Sequence, residues 1–161
     1  MIAQLTSQTS PFGLEDLTQG LVIGTKVLTM EGELPVEFLS AGDRVITRNG
    51  ARALVEITRS WAQNLDVVRI SEGVLGHDRP EADLLVAPTQ AILIRDWRAR
   101  AFAGSASASA MIPAARLVDG EYIRHEVLPE ARLFTLHFEE PEVIYAGSLE
   151  LSCPAALPAL A

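Results

Sequence analysis

The chain has few cysteines, few basic residues and no long apolar run, and each shortage excludes a class of protein. Its single cysteine, Cys153, has no partner for an internal disulfide. Only 13 Lys and Arg residues stand against 21 Asp and Glu residues, which gives a formal net charge of −8. The basic surface that nucleic acid or an anionic membrane requires is therefore missing.

Targeting and metal-binding patterns are absent as well. No apolar run approaches the roughly 20 residues needed to cross a bilayer, and the first residues lack the basic-then-apolar pattern of a secretory signal. We therefore expect a cytoplasmic protein with no membrane span, while export without a leader stays open. No two of the three histidines have the spacing of ligands on one helical face, so no metal or other cofactor is expected.

What the chain does contain is the pattern of an all-β domain. Its 161 residues are 48% hydrophobic, which suits one globular domain with a sizeable core. Turn residues recur every several positions, and Asn49-Gly50 accepts the positive φ angles of a tight hairpin turn. Strands are predicted at Lys26–Met30, Leu34–Glu37, Arg44–Thr47, Ala53–Trp61, Leu65–Ile70, Asp83–Val86, Ala91–Arg95, Arg132–Glu139 and Glu142–Tyr145.

Segments rich in small and turn-forming residues divide the chain. Residues 1–19 are predicted to be an N-terminal arm with at most one helical turn, and residues 20–153 to be the β-domain. Residues 154–161, which contain two prolines and several alanines, are predicted to fray. Two loops are expected inside the domain, at Gly73–Pro80 and at Ala103–Ala110, the second being the more mobile.

Four segments, in order along the chain, carry the pattern of a known family. Residues 20–50 contain the strings GLVIGT, PVEFL and GDRVIT. They are followed by LLVAPTQAILI at 84–94, MIPAARLVDG at 111–120 and EVIYAG at 142–147. From Gly20 to Ser152 the chain thus resembles the Hint (Hedgehog/intein) domain, in particular its bacterial branch. The resemblance implies a coiled β-fold of many short strands with little helix.

The resemblance also implies an active site whose reactive side chains are missing here. Family members carry a nucleophilic cysteine where this chain has Gly20, a Thr or Ser where it has Ala87, and a proton-donating histidine where it has Gln90. Two later histidines of the family fall on Thr135 and Pro141. Because none of these replacements exchanges protons near neutral pH, we expect these positions to be vestigial and none to be catalytic.

Other residues give little support for a rebuilt site. A hydroxyl nucleophile such as Thr18 or Thr25 would need an adjacent base, and no Ser or Thr has an obvious histidine partner in the sequence. Ser152 precedes Cys153, whereas the splicing members of the family end in Asn before their last nucleophile. The cysteine is therefore expected to pack at the edge of the core or in the tail.

Two clusters of charged residues are most simply interpreted as parts of the solvated surface. On a strand, His137 and Glu139 would share a face close to Glu140 and Glu142, and we interpret this group as a solvated acidic edge rather than a cation site. The basic cluster Arg95–Arg100 is interpreted as a solvated turn, with contact to an acidic partner as the alternative.

The sequence therefore predicts a Hint-like domain that acts as a binding or structural module, and it favours a protein without enzymatic activity. Its protein partner and its oligomeric state are not given by the sequence. Two alternatives stay open. One is an autoproteolytic domain with an atypical nucleophile, and the other is a small-molecule-binding domain that uses the space left at Gly20 and Ala87.

Overall fold

The computed structural model describes residues 20–104 and 106–156. These residues form many short β-strands with little helix, which confirms the predicted all-β class. The helix α1 spans Trp97–Ala103, and two 3-10 helices span Val36–Phe38 and Ala114–Leu117. The strands are β1 (Leu21–Val22), β2 (Lys26–Thr29), β3 (Gly32–Pro35), β4 (Arg44–Thr47), β5 (Gly50–Ala53), β6 (Glu56–Ile70), β7 (Leu84–Val86), β8 (Ala91–Ile94), β9 (Ala110–Pro113), β10 (Ile123–His137), β11 (Glu142–Ala146) and β12 (Leu149–Cys153).

The strands form two sheets. In the first, β1, β10, β6 and β7 close on one another. In the second, the order is β3-β2-β4-β11-β12-β8-β9, with β5 paired to β4. The first strand joins distant parts of the chain, because Leu21 pairs with Phe134 on one side and with Val86 on the other. In the part of the chain described, no helix is long and apolar enough to span a membrane.

The core follows from the two-residue period of the strands. In β4, Val45 and Thr47 are buried and Arg44 is exposed, because successive side chains of a strand point to opposite faces of the sheet. Strands β11 and β12 contribute Ile144 and Leu151 to the main hydrophobic cluster, and both are fully buried. A smaller cluster lies in the first sheet and consists of Val22, Leu65, Val67, Ala131 and Leu133.

The predicted hairpin at Asn49-Gly50 is present, but the strand that follows it is shorter than expected. β4 pairs with β5 from Arg44↔Ala53 to Thr47↔Gly50, so the turn itself consists of Arg48 and Asn49. Of the predicted Asn-Gly pair, only Gly50, the first residue of β5, has a positive φ, of 89°. The single strand predicted at Ala53–Trp61 is wrong, because β5 ends at Ala53 and the chain then enters the other sheet as β6.

Strand β6 is also longer than the sequence predicts. It runs unbroken beside β10, from Glu56↔His137 to Ile70↔Ile123, and so includes the separately predicted strand Leu65–Ile70. Asn64 has a φ of 51° in the middle of this pair, yet the register continues on both sides of it. Cross-strand packing therefore overrides the local turn preference of Gln63-Asn64.

Two further segments differ from the prediction. The solvated turn expected at Arg95–Arg100 leads instead into α1, whose first turn is capped by Asp96: its carboxylate accepts a hydrogen bond from the Arg98 amide at 2.9 Å. Residues 154–156 were expected to fray, but Ala156 donates a backbone hydrogen bond to Phe138. The predicted arm at 1–19, Ser105 in the predicted mobile loop, and residues 157–161 lie outside the described residues.

Candidate functional site

A cavity of about 270 Å³ opens where the start of β1, the turn before β8, strand β10 and the end of β12 meet. Four of the site positions expected from the sequence, Gly20, Gln90, Thr135 and Pro141, lie around it. The fold thus brings together residues that are far apart in the chain. The lining residues are Gly20, Leu21, Thr89, Gln90, Ala91, Phe134, Thr135, Leu136, Pro141, Ser152, Cys153 and Pro154.

Gly20 occupies a position where a side chain does not fit. Its φ of +113° lies in a region that residues with a side chain rarely adopt. A Cβ built on this backbone would lie 2.7 Å from the carbonyl oxygen of Phe134 and 2.9 Å from Oγ1 of Thr135. The first of these atoms belongs to the backbone of β10, so it cannot rotate out of the way. The observed geometry therefore requires glycine at position 20.

Gln90 fastens the turn before β8 to the last strand. Its side chain is buried, and Nε2 donates hydrogen bonds to the carbonyl oxygens of Ser152 at 2.8 Å and Ala91 at 3.0 Å. Its backbone amide donates to the carbonyl of Ala87 at 3.0 Å, which closes the turn. The Gln90 amide thus has a structural function, since it satisfies two partly buried backbone acceptors.

Ala87 differs from the other expected site positions. It is 1% exposed and follows Val86, the β7 residue that pairs with Leu21, but it is not among the described lining of the cavity. Of the two positions at which space was expected, Gly20 lines the cavity and Ala87 is not part of its described lining. Ala87 is buried. A Cβ at Gly20 would clash with Phe134 and Thr135.

Comparison with known families identifies the fold. A family model described as the Hint domain matches residues 19–152. The chain belongs to the Hint domain family. No curated protein matches it.

Three solved structures of similar fold are distant in sequence. A bacterial intein-like domain from Clostridium thermocellum superposes with a TM-score of 0.62 at 15% identity, over 84% of this chain and 98% of that one. The gp41-1 intein gives 0.54 at 12% identity, over 84% and 97%. An N145AA form of the MchDnaB-1 intein gives 0.54 at 12% identity, over 84% and 99%. At these identities, the likeness shows the fold of this Hint domain.

Cys153 is the titratable side chain of the described cavity lining. It lies at the end of β12 and is buried, as expected for a packing residue, but it belongs to a strand and not to the tail. Burial, and after it the charge of Glu142, raises the pKa of the Cys153 thiol to about 12. Because the thiolate is the reactive form of cysteine, this thiol is a poor nucleophile at neutral pH.

One pair of residues, Thr58 and His137, was not predictable from the sequence. Oγ1 of Thr58 lies 2.8 Å from Nε2 of His137, although 79 positions separate them. Nδ1 of His137 is buried and has no hydrogen-bond partner in the described part of the protein. This is the hydroxyl–imidazole contact that a nucleophile and its base make. Neither residue lines the cavity at Gly20, so this Hint domain does not present the pair to that site.

The acidic edge expected around Glu139, Glu140 and Glu142 is only partly solvated. The first two residues are exposed, but the side chain of Glu142 is 6% exposed. It accepts a hydrogen bond from Nδ2 of Asn49 at 2.9 Å and pairs with Arg52 at 3.6 Å. A solvated role for Glu142 is therefore wrong. In the described ranges, no three His, Cys, Asp or Glu side chains converge as a metal site would require.

Proposed function

We propose that this Hint domain does not cleave or splice itself and that it acts as a binding or structural module. The contact at Gly20 carries the proposal. At the position that corresponds to the nucleophile in the family, a Cβ would lie 2.7 Å from a backbone oxygen. A cysteine there would need the start of β1 or the middle of β10 to move before it could attack anything.

Proton transfer supports the same conclusion. Expulsion of an amide nitrogen needs an acid that exchanges protons near neutral pH. Gln90 stands where the family carries such a group, and its side-chain amide donates hydrogen bonds to two backbone carbonyls. The thiol of Cys153, whose pKa is raised to about 12, stays protonated at neutral pH and is too weak an acid to protonate the leaving nitrogen. The described lining thus offers no side chain that exchanges protons near neutral pH.

An atypical hydroxyl nucleophile gains no support from Thr25. Its side chain is buried, and Oγ1 donates a 2.7 Å hydrogen bond to the carbonyl of Val22. This bond closes the turn between β1 and β2, so the hydroxyl has a structural function. Thr18, the other candidate from the sequence, lies outside the described residues.

A second candidate function is the binding of a small neutral molecule, and the cavity favours it. At about 270 Å³ it is just below the roughly 300–1,000 Å³ of usual ligand pockets. The described lining is apolar apart from hydroxyl, amide and thiol groups. A ligand there would be small and uncharged, because nothing in that lining would compensate a buried charge.

Intact mass spectrometry tests the loss of cleavage. The purified chain should stay one species of 17.4 kDa during long incubation with dithiothreitol or hydroxylamine, which would trap a thioester or an ester. The matched control is Cys153→Ser, which should behave identically. Release of a fragment by the wild-type chain would overturn the proposal, and its loss in Cys153→Ser would identify the thiol as the nucleophile.

A further inference from the structure

A buried carboxylate on β12 collects three arginines from three different parts of the chain. Glu150 has a side chain that is 4% exposed, and its Oε2 lies 3.1 Å from Nη1 of Arg48 and 2.9 Å from Nη2 of Arg95. Its Oε1 contacts Nη1 of Arg95 and lies 3.6 Å from Nη1 of Arg79. The arginines follow β4, precede β7 and follow β8, so the sequence gives no sign of the cluster.

Neutralisation of Glu150 does not explain all three arginines. Arg95 contacts both carboxylate oxygens by itself, the paired geometry in which a guanidinium binds a carboxylate best. Arg48 and Arg79 add two further positive charges at oxygens that are already paired. Among the described residues, no other carboxylate forms an ion pair with any of the three. The cluster therefore carries a local surplus of two positive charges in a chain whose net charge is −8.

The cluster is also reachable from solvent. The side chains of Arg48 and Arg95 are 45% and 47% exposed, and that of Arg79 is 26% exposed. The ion pairs with Glu150 already order the guanidinium groups, which lowers the entropic cost of ordering them when a ligand binds. Each group keeps N–H donors that the carboxylate does not use, because a guanidinium has five.

We propose that Arg48, Arg79 and Arg95 form a binding site for an oxyanion, a phosphate or carboxylate group, on the solvent side of Glu150. Planar guanidinium groups match the oxygen spacing of both anions. The site goes beyond the proposed function, since none of the three arginines lines the cavity at Gly20. It would serve equally in a domain that cleaves itself.

Titration of the full chain with inorganic phosphate, followed by isothermal calorimetry at constant ionic strength, tests the site. Saturable binding is expected, and Arg48→Gln should weaken it about tenfold, because a hydrogen bond to a charged group is lost. Arg44→Gln is the matched control: Arg44 begins β4, the strand that Arg48 follows, is exposed, and is not among the described arginines that form ion pairs with Glu150. Absence of binding, or equal binding by the two variants, would overturn the proposal.

A second variant separates an anion site from a purely structural cluster. Glu150→Gln keeps a side-chain oxygen that can accept hydrogen bonds from the guanidinium groups, so part of their ordering is retained, but it removes the competing negative charge. Phosphate binding should therefore tighten several-fold, because three uncompensated guanidinium charges then face the anion. Phosphate should also raise the unfolding temperature of this variant more than that of Arg44→Gln. Weaker phosphate binding in folded Glu150→Gln would contradict the proposed site. Repetition with acetate shows whether the site prefers carboxylate or phosphate.

Discussion

The substitution Gly20→Ala tests the central geometric claim about this Hint domain with a single added carbon. The backbone conformation alone, at φ +113°, should cost about 1–3 kcal/mol for a residue with a side chain. The contact at 2.7 Å with the Phe134 oxygen should add about 1–3 kcal/mol of overpacking. The expected loss of about 2–6 kcal/mol is a large part of the roughly 5–15 kcal/mol that stabilises a typical domain.

Gly24→Ala separates the two contributions. Gly24 also has a positive φ, +92°, but a Cβ there would meet nothing within 4 Å. This control should show only the conformational cost of about 1–3 kcal/mol. The difference between the two variants therefore measures the contact with Phe134 and Thr135.

Urea unfolding followed by tryptophan fluorescence gives the free energies, and thermal unfolding should show a fall of about 2–4 °C for each kcal/mol lost. The reasoning would be refuted if Gly20→Ala were no more destabilising than Gly24→Ala. In that case the start of β1 yields easily, a cysteine could be accommodated at position 20, and loss of cleavage would rest on the missing acid alone.

Two further predictions concern the cavity. Gln90→Ala should lower the free energy of unfolding by about 1–3 kcal/mol, since two partly buried hydrogen bonds of about 0.5–1.5 kcal/mol each, to the carbonyls of Ser152 and Ala91, are lost. Urea unfolding measures the change, and an unchanged value would show that water replaces the amide. Cys153 should react with Ellman's reagent at pH 7 only after unfolding. Because its folded pKa of about 12 exceeds the ordinary value of 9.0, the folded state holds the proton longer, and this contribution to stability should be full below pH 9 and fall as the pH rises from 9 towards 12. Cys153→Ser should lack that fall.

The sequence was sufficient for the fold class because period-two alternation and turn residues are local signals. The hairpin at Asn49-Gly50 is present, and the short strands recur as expected. The failures lie where distant pairing decides. Gln63-Asn64 looks like a break, yet β10 holds both sides of it in one register. Residues 97–103 carry no strong helical pattern and still form α1, which Asp96 caps.

The site was predictable in position and less so in contacts. The resemblance to the Hint domain was enough to expect Gly20, Ala87, Gln90, Thr135 and Pro141 at one site. Four of them line one cavity, and Ala87 is not part of its described lining. The hydrogen bond from Gln90 to Ser152 spans 62 positions, and no local pattern encodes it. The arginine cluster around Glu150 was equally unpredictable from the sequence, because its three arginines come from three separate loops.

A site can fail to cleave because its reactive side chains are missing or because the backbone leaves no room for them. On the proposed function, the second reason dominates in this Hint domain. If only the reactive groups were missing, the backbone would leave room where they would stand. Instead, the carbonyl of Phe134 closes the Cβ position of Gly20, and Gln90 spans the gap to Ser152 as a hydrogen-bonded tie. Replacing Gln90 by histidine would break that tie at the same time as it supplied an acid. On the proposed function, substitution of side chains alone would not restore cleavage, because the backbone of β1 and β10 would also have to separate.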